Sequence, residues 1–183
     1  MKYGIYYNEI VPPIEDFTDG AYIAIICEVK DYVNRIVNLE DAGWEVRDCI
    51  KFFTQGDSLQ IALLRKEFKG TVVNNILTNG CGGINIDGCR IPSPTGRFPA
   101  NMILDKAAGA ILDVQAPKSG NMYDGVRKKQ STGGTGHTLT REHKVGESAG
   151  IYDGIGGASR FFQQCNTIDD LKAYLRRLID PEA

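Results

Sequence analysis

The rhythm of apolar and polar positions changes several times along the chain, and each rhythm predicts an element. AYIAIIC, Ala21 to Cys27, is an unbroken apolar run between Gly20 and the charged Glu28. That is the pattern of a strand buried on both faces, because neither side needs polar residues to meet water. From Glu28 to Ala42 the apolar Val29, Val33, Ile36 and Val37 return at helical spacing, and Gly43 stands where a helix end favours a left-handed residue. The expectation is a helix with that stripe turned inward. WEVRDCIKFF and SLQIALLRKEF have strand composition, and QGD between them supplies a turn glycine, so the pair reads as an antiparallel hairpin. Tyr3 to Tyr7 suits a strand leading into a loop around Pro12 and Pro13. Near the other end, Thr167 can cap a helix in which Ile168, Leu171, Leu175, Leu178 and Ile179 recur at three- and four-residue steps up to Pro181.

Between these elements the texture differs. Residues 70 to 105 carry turn formers every few positions, with only short β-prone strings and one helical turn expected at Val72 to Leu77. From Lys118 to Gly150 the chain is polar and glycine-rich, with too few large apolar side chains to offset its ordering entropy, so a mobile loop is expected there. The fold expected is α/β. A small, partly parallel, twisted sheet spans residues 3 to 68 with the 28 to 42 helix on one face, and the C-terminal helix packs on the same sheet. The organisation reads as an α/β core at 1–69, an irregular lobe at 70–160 with its flap at 118–150, and a C-terminal helix returning to the core within 161–183.

Charge sharpens the picture in one place. The 183 residues carry a formal charge of −2, so no general polycation coats nucleic acid here. Within Lys118 to Lys144, however, six basic residues stand against two acidic ones, a local balance of +4. An acidic chain therefore has one basic flap, centred on Arg127, Lys128 and Lys129. The cysteines, Cys27, Cys49, Cys81, Cys89 and Cys165, are odd in number and lack the close pairing of zinc sites, so reduced thiols in a core are expected rather than disulfides or a metal. His137 and His143 are too poorly accompanied for metal or acid–base work.

Five blocks, taken in order, resemble the middle of phage and prophage amino-type DNA methyltransferases, which modify the exocyclic amine of adenine or cytosine. They are DGAYIAIICEVKDYVNRIVNLEDAGWEVRDCI, KGTVVNNILTNGCGGINIDGCRI, GRFPANMILD, GGASRFF and LKAYLRRLIDP, and they span roughly residues 19 to 181. In those enzymes a strand and a helix ending in E-D-A-G-[FW]-E-[IV]-R-D lead into a hairpin, and a target-recognition region carrying N-I-D-G-C-R-I, G-R-F-P-A-N and A-S-R-F-F follows. The resemblance implies a partial Rossmann-like methyltransferase sheet with an irregular recognition-like lobe. It makes Arg90 and Arg97 candidates for phosphate or guanine contact, since a guanidinium fork matches either. The competing reading is that each arginine pairs with a neighbouring acid or carbonyl.

Three catalytic elements of the resembled family are not legible. A D-P-P-Y-like tetrad would hydrogen-bond and stack on a flipped base, and the nearest string, VPPI at Val11 to Ile14, lacks both the polar residue and the aromatic. A D-P-F-x-G-S-G-like turn for S-adenosylmethionine is expected soon after residues 171 to 181 and does not occur within the 183 residues. The K-P dipeptide ahead of the last helix is replaced by the stretch QQCNTIDD. Gly133 to Gly136 and Gly154 to Gly157 lack the strand, lysine and hydroxyl context of a phosphate loop and read as hinges. The expectation is a DNA-binding module or decoy with no catalytic residues and no cofactor of its own. Alternatives are a subunit of an S-adenosylmethionine-dependent enzyme completed by a partner, or a protein-interaction or inhibitor protein of phage origin. In either case an open sheet edge would engage the partner or a second copy. A cytoplasmic location, in the host cell if the chain is phage-encoded, and no membrane association are expected.

Overall fold

The computed structural model describes residues 1–91, 96–116 and 156–180, and the fold is mixed α/β. In chain order the principal elements are β1 (Tyr3–Tyr7), β2 (Tyr22–Glu28), α1 (Val29–Asp41), β3 (Trp44–Thr54), β4 (Asp57–Lys66), α2 (Val72–Asn79), β5 (Met102–Leu104), α3 (Lys106–Gln115), β6 (Gln163–Gln164) and α4 (Ile168–Ile179). One six-stranded sheet runs β1-β2-β4-β3-β5-β6. Every neighbouring pair is parallel except the two that involve β4, so one reversed strand sits inside an otherwise parallel sheet. The reversal follows from the tight turn at Gln55–Gly56, which can join only antiparallel neighbours. Gly56, at φ 101°, takes the left-handed conformation that this turn needs.

The apolar run of β2 is buried on both faces, as its continuity predicts. Tyr22, Ala24 and Ile26 enter one core, while Ala21, Ile23, Ile25 and Cys27 enter the other. On the first face α4 lays down Leu171, Tyr174, Leu175, Leu178 and Ile179 against Ile50, Phe52, Ile61 and Ile103. On the second face α1 contributes Ile36, and Phe17 meets Trp44 edge-on with ring centroids 5.0 Å apart. Each fully buried aliphatic side chain stabilises the fold by about 2 kcal/mol. Thr167 closes a capping box with Asp170, so the start of α4 is where the sequence puts it.

Two expectations require correction. The α1 stripe is rotated: Val29, Val33 and Val37 are exposed, and the helix docks through Tyr32, Ile36 and Leu39 instead. The four predicted positions share only Ile36 with the observed face, because a 13-residue helix carries two candidate stripes and periodicity does not choose between them. The sheet is also wider than residues 3 to 68. Chain from beyond the hairpin adds β5 beside β3, and β6 beside β5. Helix α3 follows β5 and was not anticipated, although Asp105 announces it by accepting from the Ala108 N–H at 2.6 Å.

Candidate nucleic-acid interface

The turn-rich segment begins with α2, an inverted helix. Its buried residue is Asn75, while Val72, Val73, Ile76 and Leu77 are exposed. The Asn75 amide nitrogen donates to the Asp19 carbonyl at 3.0 Å and the Cys81 carbonyl at 2.7 Å, and its oxygen accepts from Asn79 at 2.8 Å. Gly20 (φ 83°) and Gly82 (φ 119°) both pass against this amide, and a Cβ at Gly20 would overlap it. A polar side chain thus clamps the lobe to the start of β2.

The NIDGCRI block, Asn85 to Ile91, follows Ile84 and forms a compact bend with a single helical turn at Asp87–Cys89. Gly88 N–H donates to the Asn85 side chain at 2.9 Å, and the Asn85 N–H donates to the Leu178 carbonyl at the end of α4 at 2.8 Å. Ile84 and Cys89 point into the α4-side core. Arg90 is engaged on both sides. Its Nε donates to Asp87 at 2.8 Å and a terminal nitrogen donates to the Gly96 carbonyl at 3.0 Å. Arg97 is exposed, and its backbone pairs with Ile91 in both directions at 2.8 and 3.1 Å. No ion pair or side-chain hydrogen bond engages Arg97 among the described residues. The two arginines therefore flank the Ile91–Arg97 backbone pairing, the first braced within the frame and the second open to solvent.

The next two blocks are anchors. In GRFPAN, Phe98 packs on the α4-side core, Pro99 is buried, and Asn101 donates to Asp48 on β3. In GGASRFF, the Ser159 N–H and hydroxyl both donate to the Asp113 carboxylate on α3, at 2.7 and 2.8 Å. The Ser159 backbone N–H, and then its hydroxyl, hold that carboxyl below the usual carboxylate range. A Cβ at Gly157 would overlap the Asp113 carboxylate, so this glycine serves close packing rather than hinge motion. The Arg160 guanidinium donates to the Gly156 carbonyl and lies 4.6 Å from the Phe161 ring centroid. Sequence reasoning missed both Asn75 and Asp113: Asp113 stands between apolar neighbours on its helix, whereas Asn75 follows another asparagine and carries no local signal.

Arg127, Lys128 and Lys129, both histidines and Gly133 to Gly136 lie outside the described residues. Among the described residues no group of three His, Cys, Asp or Glu side chains could hold a metal ion. Burial pushes the Cys27, Cys81 and Cys89 thiols up, and that of Cys165 up to about 11, so these are protonated core groups rather than nucleophiles. Of VPPI, Val11 to Pro13 are loop after β1 and Ile14 opens the short 3-10 turn Ile14–Asp16; Val11 and Ile14 rest on the α1-side core. Among the described residues no helix is long and apolar enough to cross a membrane. Compared with known proteins, the chain matches no family model, no curated protein and no solved structure.

Proposed function

We propose that the chain is a methyltransferase-like DNA-binding module, or decoy, that does not methylate by itself. The observation that carries this reading is Arg97, an exposed guanidinium with no side-chain partner among the described residues, beside the Arg90–Asp87 pair in a segment anchored in the core through Ile84, Cys89 and Phe98. A contact residue held on a rigid base loses little entropy on binding. The observed order of strand, helix and hairpin accords with the partial Rossmann-like sheet that the resemblance implies. The 183 residues contain no D-P-P-Y-like tetrad to grip a flipped base. Arg90 braces the frame with two of its donors and offers the remaining edge of its guanidinium to a phosphate. Arg127, Lys128 and Lys129 add the non-specific electrostatic attraction.

Titration with a labelled duplex at low and moderate salt tests this reading. Salt-sensitive binding at micromolar protein is expected, and changing Arg127, Lys128 and Lys129 together to alanine should weaken it and flatten the salt slope by up to about three units. Absence of salt-sensitive binding would reject the reading. A second reading, a subunit whose partner supplies the S-adenosylmethionine turn and the base-gripping tetrad, is favoured by the position of β1 at the sheet edge. It requires methyl transfer from labelled cofactor when a partner is added and none without it.

A further inference from the structure

Strand β1 lies at one margin of the sheet and, among the described residues, its ladder partner is β2 alone. The Tyr22 N–H donates to the Lys2 carbonyl at 3.1 Å, which turns Lys2 toward β2. Backbone groups alternate in direction along a strand, so Gly4 and Tyr6 also face β2, and Ile5 and Tyr7 direct their N–H and C=O groups outward. Among the described residues no hydrogen bond engages those groups, which leaves them for a further strand. Beside this edge, α4 overhangs the sheet and leaves a groove of about 330 Å³ walled by Tyr3 and Ile5 from the strand and by Lys172, Ala173, Arg176 and Ile179 from the helix. Ala173 keeps the groove open because its side chain ends at Cβ. Arg176, exposed, lies 5.3 Å from the Tyr3 ring centroid, and Lys172 reaches Glu9 at 3.4 Å. The groove therefore has an apolar floor and a cationic rim that one acid only partly balances.

We propose that this edge and groove receive an extended acidic segment of a partner protein, added beside β1 as a further strand. Main-chain hydrogen bonds to Ile5 and Tyr7 would supply the pairing, and alternate side chains would enter the groove, their carboxylates meeting Arg176 and Lys172. The charge favours such a partner over a second copy of this chain, since two-fold pairing at β1 would bring the same cationic rims together. The inference does not depend on DNA binding: it concerns a different edge from the one that carries β5 and β6.

The test uses the full chain and a short blocked peptide alternating valine and glutamate, with a valine–lysine peptide for comparison. The glutamate peptide should bind and slow hydrogen exchange at the Ile5 and Tyr7 amides, and the lysine peptide should do neither. Ile5→Pro removes an outward N–H without removing a bond to β2 and should weaken binding about tenfold or more, whereas Ile5→Ala, which keeps that N–H, should weaken it less. Arg176→Glu, on the solvent side of α4, gives an independent variant and should also weaken binding about tenfold. Equal binding of both peptides, binding of neither, unchanged binding by folded Ile5→Pro or by Arg176→Glu, or a β1-mediated dimer of the free chain abolished by Ile5→Pro would overturn the proposal.

Discussion

Strand β2 and helix α2 lie close in the fold and follow opposite rules. β2 buries six consecutive residues from Tyr22 to Cys27 and is held by apolar contact on both sides. Helix α2 buries one asparagine and leaves two valines, an isoleucine and a leucine exposed. The same division extends outward. The sheet with α1 and α4 is held by hydrophobic burial, which depends on area and tolerates repacking. The lobe is pinned by single polar groups: Asn75 on two carbonyls, Asn85 beneath Gly88, Asp105 at the start of α3, and Asp113 beneath Ser159. Hydrogen bonds of this kind depend on direction, so they hold an irregular loop in one geometry where too little apolar surface exists to do so. A frame that presents an arginine needs that directionality more than it needs bulk.

The largest test of this contrast falls on the core. Leu175→Ala, at a fully buried position of α4, should cost about 3 kcal/mol in urea unfolding, with the whole domain affected. A loss below about 1 kcal/mol would show that α4 does not seal the sheet. Asn75→Ala should cost about 2 kcal/mol, because the Asp19 and Cys81 carbonyls lose their donor, and hydrogen exchange should speed up in residues 70–91 before it does in β2. Uniform acceleration across both regions would erase the distinction drawn here.

Asp113 offers a test through pH. Its folded pKa is depressed by Ser159, so its contribution to stability is present above the unfolded value near 3.8 and is lost as pH falls through the lower folded value. Asp113→Asn should be less stable than the native chain at neutral pH, and the gap should narrow as the solution is acidified through that window. A gap independent of pH would remove the carboxylate from the account. The smallest stability effects belong to the surface. Arg97→Ala and Val33→Asn should each change stability by less than about 0.5 kcal/mol, and only Arg97→Ala should reduce duplex binding. Equal duplex binding by both variants would detach Arg97 from the interface.

Local pattern alone determined the strand at 22–28, the hairpin about Gly56, the left-handed turn at Gly43 and the capped start of α4, because each is specified by contacts within a few residues or by a run whose burial admits one solution. The family resemblance, rather than local pattern, singled out the blocks that hold Arg90 and Arg97. Only the tertiary structure decided that α1 docks through Tyr32, Ile36 and Leu39, that β5 and β6 extend the sheet, and that Arg90 is braced by Asp87 and Gly96 while Arg97 stays open. Those outcomes depend on partners up to 60 residues away, as when the Lys106 N–H donates to Asn166. Periodicity encodes that a face will be buried, whereas the surface that buries it is settled by how separate elements pack together.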